Sequence, residues 1–175
     1  MALNLKIKYN LEKDIQNWQN SLNKESYNVN WNKFLPSDIS LKCTNDNECL
    51  KKYLEINYPI NKISEFINSI NKLINPQEIQ NDLENLLNAK FKTNDFKVFI
   101  TTFHRAPYNI EGNYFYLIYR ENNINKAVGG IYHELMHFLF HQNYWDYCKN
   151  KGLDDTKIHI LKESFTVLLN ENLKK

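Results

Sequence analysis

The sequence predicts an α+β domain, mainly helical, with a small antiparallel sheet of two or three strands. A motif-bearing helix follows the last strand, and a helical hairpin ends the chain. Three observations predict this. Apolar residues recur every three to four positions through most of the 175-residue chain, the spacing of amphipathic helices. Two segments in the second half, FKVFITTF and NYFYLIYR, are instead β-branched and aromatic, as strands are. HELMHFLFH (133–141) sets polar residues in an otherwise apolar helix, where each must find a partner.

In chain order, Leu3, Leu5, Ile7 and Tyr9 alternate with Asn4, Lys6 and Lys8, the period of a half-buried strand. Helical spacing through Leu11, Ile15, Trp18 and Leu22 predicts a helix over 11–26. From Tyr27 to Cys49 the pattern is irregular and includes Pro36, so a long loop with one short helix is expected. Residues 47–56 read as a helix stopped before Pro59. Ile60, Ile63, Phe66, Ile67, Ile70, Leu73 and Ile74 mark an amphipathic helix over 60–75. Pro76 ends it and opens the next, which is expected to run to Phe91. FKVFITTF (96–103) and NYFYLIYR (113–120) are expected to be antiparallel strands joined by a turn containing Pro107 and Gly112. Two helices, over 123–143 and 154–172, complete the chain.

Composition narrows the function. Hydrophobic residues make up 42% and charged residues 24%, as in an ordinary globular domain. The net charge is +2 and the lysines are scattered, which argues against nucleic-acid and membrane partners. No apolar run is long enough to span a bilayer, and the start lacks a secretory h-region. Cys43, Cys49 and Cys148 fit no disulfide framework, so reduced thiols and a cytoplasmic setting are expected. Asparagine occurs 28 times, against four glycines. The larger cause is a compositional bias of the coding sequence, but asparagine also tolerates the left-handed conformation and can replace glycine at helix ends and turns. Oligomeric state is not legible.

The motif helix carries the chemistry. Ile124, Val128, Ile131, Leu135, Phe138 and Leu139 form its main apolar stripe, and His133 and His137 point the other way. Residues four apart stand one above the other, about 6 Å along the axis, so both imidazoles can reach one ion with bonds of about 2.0–2.1 Å. Glu134 is aimed too poorly to be a ligand but can act as general base on water at the metal. His141 lies about 12 Å along the axis from His133, too far to share that ion on an unbroken helix.

The third ligand comes from the hairpin. Its turn centres on Asn150, so an antiparallel return sets Glu163 opposite His137 and His159 opposite His141. Asp154 or Asp155 caps the returning helix, and Lys174 and Lys175 lie in its last turn. Ile160 and Val167 flank Glu163, which suggests a partly buried carboxylate wanting a charged partner. Glu163 is therefore the expected ligand and His159 its competitor. His141, His159 and Thr166 remain candidates for holding a ligand in place or donating to a reaction oxyanion.

Taken together, HExxH at His133, Glu134 and His137 with a distal Glu163 resembles a gluzincin, a zinc-peptidase group. The resemblance covers residues 96–172. It implies a zincin-like motif helix, bound Zn2+ and a peptide or protein substrate paired with an edge strand, for which NYFYLIYR and FKVFITTF are candidates. HELMHFLFH is also similar to the motif helix of small metallopeptidases that cleave phage-type repressors. Two positions depart from these patterns: Val167 stands where many gluzincins carry aspartate, and ESFT replaces Glu-x-Ala-Asn. The expected domain division is a mostly helical segment 1–95, packed on the core and governing specificity or latency, and a catalytic core 96–175. All five histidines lie in the second part. A non-catalytic zinc-binding protein and a helical module with a coincidental motif are the rival readings.

Overall fold

The computed structural model describes residues 2–22 and 29–172. The expected helix end at 23–26 and the terminal lysines 174 and 175 lie outside those residues. β1 (Asn4–Tyr9) leads into α1 (Leu11–Leu22). A 3-10 turn (Trp31–Phe34) and α2 (Leu41–Thr44) occupy the stretch expected to be mostly loop. α3 (Asn47–Asn57), α4 (Ile60–Leu73) and α5 (Pro76–Leu87) follow. α5 stops short of Phe91 because Asn88 turns left-handed at φ 47° and its amide closes on Glu84 and Asn85, as an αL cap does. Asn113, in the turn before the last strand, is also left-handed at φ 48°. Asparagine thus does take glycine's place at a helix end and in a turn.

The sheet has four strands in the order β1-β2-β4-β3, with β2 at Asp95–Thr101, β3 at Tyr108–Asn109 and β4 at Tyr114–Ile118. It is mixed, not antiparallel. β2 is parallel to β1, with Leu5 opposite Phe96, and parallel to β4, with Val98 opposite Phe115. Only β3 runs antiparallel, Tyr108 opposite Phe115. Parallel neighbours cannot be joined by a tight turn. Residues 102–107 therefore carry the chain beyond β4, β3 descends along its far side, and a turn at 110–113 re-enters β4. Gly112 is needed in that turn, since a Cβ there would meet the Tyr114 ring at 2.8 Å. A two-residue strand has no alternation to detect, which is why the sequence pattern concealed β3 and the direction of β4 with it.

Phe96, Val98, Ile100, Phe115 and Leu117 join the main core with α4, α5 and the long helix α6 (Ile124–Asn143). Phe138 of α6 meets Phe96 edge-to-face at 4.9 Å. After α6 the hairpin is more broken than expected: α7 (Trp145–Asn150) forms within the connection, and α8 (Asp155–Phe165) and α9 (Val167–Asn172) replace one returning helix. No described helix is long and apolar enough to cross a membrane.

A smaller core gathers Ile15, Trp18, Ile39, Leu50 and Leu54 around Phe103. Cys43 and Cys49 stand beside it and are joined as a disulfide, which corrects the expectation of three reduced thiols; Cys148 is free and buried. Ser40 and Asp46 each cap a helix, and the turn between those helices brings the two cysteine Cα atoms to 5.2 Å. Cysteine parity carries no information on that local geometry.

The two cores are tied by one buried carboxylate. Asp14 of α1 is fully buried and accepts from Thr101 Oγ1 at 2.7 Å, Thr102 N at 3.0 Å, Thr102 Oγ1 at 2.7 Å and Tyr9 Oη at 3.2 Å. Burial pushes its pKa up while these hydrogen bonds oppose the shift. Asn17 extends the network, donating to Thr101 Oγ1 and to the Arg105 carbonyl, each at 2.8 Å. Asp14→Ala strands several buried donors at once. Urea unfolding should show a loss of about 3 kcal/mol, and a loss under about 1 kcal/mol would show that the network is not a structural anchor.

Candidate metal centre

α6 starts where the Asn123 side chain accepts from Lys126 N at 3.0 Å. Gly130 lets it lie close on β4, since a Cβ at that position would stand 3.0 Å from Leu117. From Glu134 to Phe140 every residue is buried, so this half of the helix is enclosed nearly all round. α8 returns after Gly152, at φ 84°, with the Asp154 side chain accepting from Lys157 N at 2.8 Å. That return brings Glu163 to the histidines.

His137 Nε2 lies 3.4 Å from Glu163 Oε1, and His133 Nε2 lies 3.9 Å from Glu163 Oε2. The ligand atoms of all three residues lie within 4.8 Å of one another. A tetrahedral ion with bonds of about 2.0–2.1 Å requires neighbouring donors about 3.3 Å apart. The donors are thus a small closure away from that spacing, and these residues can hold a metal. Two imidazoles and a carboxylate suit several divalent transition metals, so the donor set alone does not select zinc.

Glu163 is half-exposed, but not for the expected reason. Ile160 and Val167 are exposed; the buried stripe of the hairpin runs through Ile158, Lys162 and Leu169. Lys162 was missed by sequence reasoning. Its side chain is 1% exposed, and its ammonium donates to Tyr108 Oη at 2.7 Å and pairs with Glu163 Oε1 at 3.0 Å. Burial alone lowers its pKa, but the hydrogen bonds and attraction from Tyr108 and Glu163 outweigh burial and raise it. The available signal was a lysine at the i+4 position of an apolar stripe.

The remaining candidates are placed around the edges. His141 stacks on Trp145 at 4.2 Å, with Nε2 3.4 Å from Tyr108 Oη. His159 meets the Trp145 ring edge-to-face, with centroids 5.0 Å apart. Thr166 Oγ1 donates to the Glu163 carbonyl at 2.6 Å and closes the last turn of α8. FKVFITTF is flanked by β1 and β4 and is no edge, whereas NYFYLIYR is paired with β3 only at Tyr114 and Phe115, so β3 and the Ile118 end of β4 together form the sheet edge here. Tyr108 of β3 packs 5.5 Å from the His137 ring. Cavities of about 760 and 560 Å³ meet at Ala106, His133 and Glu134, forming one cleft between the sheet edge and α6.

Burial governs the electrostatics. It pushes the Glu134 carboxyl up to about 8, opposed by Lys162 and assisted by Glu163. Burial likewise holds His137 down to about 2 and His141 down to about 4, with Lys162 adding to both. His133 is lowered too, by burial first. The metal-free site therefore presents neutral imidazoles, the form that binds metal. Glu134 Oε2 and His137 Nδ1 are buried with no hydrogen-bond partner among the described residues.

These directions predict a pH dependence. The unfolded Glu134 ionises near 4.5 and the folded one near 8, so its contribution is full below the first value and is lost as pH rises through the second. The lowered histidines act oppositely, removing stability as pH falls below 6.5. In chelator, the stability difference between wild type and Glu134→Gln should therefore shift by on the order of 2 kcal/mol between pH 6.5 and 8, against wild type. Parallel curves for the two proteins across that range would contradict a neutral buried Glu134.

No family model, no curated protein and no solved structure matches this chain.

Proposed function

We propose that the protein is a zinc-dependent peptidase. The observation that carries this reading is the convergence of His133, His137 and Glu163, with their ligand atoms within 4.8 Å of one another, beside a buried Glu134 in an open cleft. Those three residues would hold a zinc ion, which would supply Lewis acidity toward the scissile carbonyl and the attacking water. Glu134 lines the cleft beside them, where it accepts a proton from the attacking water and passes it to the leaving amine. Its raised proton affinity suits the second half of that exchange, and a nearby cation would lower it for the first.

Tyr108 and Lys162 position rather than react. The Lys162 ammonium holds one oxygen of Glu163, leaving the other directed toward His133. The edge strand β3 borders the same cleft and offers the backbone that an extended substrate pairs with. Of the described residues that line the cleft, only Trp31 comes from the first 95. This favours a wall that selects substrate over a plug that confers latency. Repressor cleavage is one substrate assignment within this reading.

Elemental analysis should find about one zinc per wild-type chain and far less in His137→Ala. Glu134→Gln should keep the metal yet lose peptide hydrolysis by at least about 1000-fold. Metal retained with no hydrolysis in wild type would leave a non-catalytic zinc-binding protein. Equal zinc in wild type and His137→Ala would remove the site altogether.

A further inference from the structure

We propose that the cleft selects acidic peptides, with Arg105 and Arg120 each holding substrate carboxylates in one of its two arms. The inference rests on reading the metal-ligating cluster as a site that handles peptides. The chain uses lysine twenty times and arginine only twice, and both arginines line this cleft. Arg105 lines the smaller arm and Arg120 the larger. The arms meet at Ala106, His133 and Glu134. A peptide running from one arm into the other therefore passes His133 and Glu134, with one guanidinium lining each arm.

Arginine is not interchangeable with lysine in such a place. Its planar fork bonds a carboxylate through two parallel N–H groups, whereas an ammonium is a strongly hydrated point charge. Both arginines are half-buried, and neither has an ion-pair partner among the described residues. Arg105 lies over the Trp31 ring at 5.9 Å. Stacking of this kind engages the face of the group and leaves its N–H edge for hydrogen bonds.

The backbone at both positions is fixed in advance. The Arg105 carbonyl accepts from Asn17 Nδ2 at 2.8 Å, within the buried Asp14 network. The Arg120 carbonyl accepts from Asn123 N at 3.0 Å, between β4 and α6. Lys126 adds a third positive charge to the larger arm. Among the described residues, the acidic ones lining the cleft are Glu134 in both arms and Glu163 in the smaller, and both belong to the cluster. Outside the cluster the described charged residues of each arm are cations, which favours carboxylates over basic chains.

The test is fluorescence anisotropy on the full chain carrying Glu134→Gln, so that nothing is cleaved during the measurement. Labelled decapeptide pools rich in Asp and Glu, in Asn and Gln, or in Lys are compared. The acidic pool should bind about tenfold more tightly than the amide pool. Adding Arg105→Gln and Arg120→Gln should bring the ratio to about threefold or less. Arg120→Gln alone, which leaves the Trp31 stack intact, should already reduce it. Equal binding of the acidic and amide pools, or a preference that survives loss of both arginines, would overturn the proposal. A single-stranded oligonucleotide bound as tightly as the acidic pool would also overturn it, by reducing the arginines to a nonspecific anion surface. Mass spectrometry of the pools after incubation with zinc-loaded wild type separates the two readings. An acidic preference in binding without cleavage would keep this inference and remove the peptidase, while cleavage of acidic and amide pools alike would overturn the inference.

Discussion

α6 is buried nearly all round and yet carries Glu134 and His137 in its enclosed half, and the rest of the molecule is arranged around that constraint. One side is satisfied by packing: Phe138 seats against Phe96 and Phe115, and Gly130 permits close approach to Leu117. The other side has to be polar and must be supplied by elements distant in sequence. α8 brings Glu163 and Lys162, and β3 brings Tyr108. Even so, Glu134 Oε2 and His137 Nδ1 have no partner among the described residues. Unmet polar groups in an otherwise consistent core mark the places where folding rules are broken for function.

Lys162 braces the cluster from the α8 side. A buried ammonium 3.0 Å from Glu163 Oε1 supplies the positive charge that keeps the carboxylate turned inward. Its second bond, to Tyr108, links α8 to the sheet edge, so the same side chain sets the width of the cleft. Replacing a buried paired charge leaves its partner uncompensated, which makes the Lys162–Glu163–Tyr108 group a single unit.

The N-terminal part of the chain is woven into the part that carries the histidine cluster rather than set beside it. β1 lies in the same sheet, its partner Asp95–Thr101 about 90 residues away in sequence. Asp14 and Asn17 of α1 fasten Thr101, Thr102 and the Arg105 carbonyl. Phe103, between those residues, is the centre of the smaller core. One wall of the cleft therefore owes its position to a helix that contributes no chemistry of its own.

The sequence by itself determined what local periodicity and spacing can encode. The boundaries of α4 and α6, the strand character of 96–101 and 114–118, the i, i+4 pairing of His133 with His137 and the return of Glu163 opposite His137 all follow from repeats of 3.6 and 2 residues and from turn chemistry. That asparagine can take glycine's place was legible in general; the left-handed cap at Asn88 was not, since it falls within the helix expected to run to Phe91. Tertiary structure alone decided the rest. The direction of β4 depends on a two-residue strand too short to show a period, and the disulfide on two capped helix starts. The burial of Lys162 was decided by where α8 meets Tyr108. The exposure of Ile160 was decided by which side of α8 faces α6, and that of Val167 by the break between α8 and α9. Each of these is a property of pairs of residues far apart in sequence, and a side chain's environment is set by what packs against it, not by its own place in a repeat.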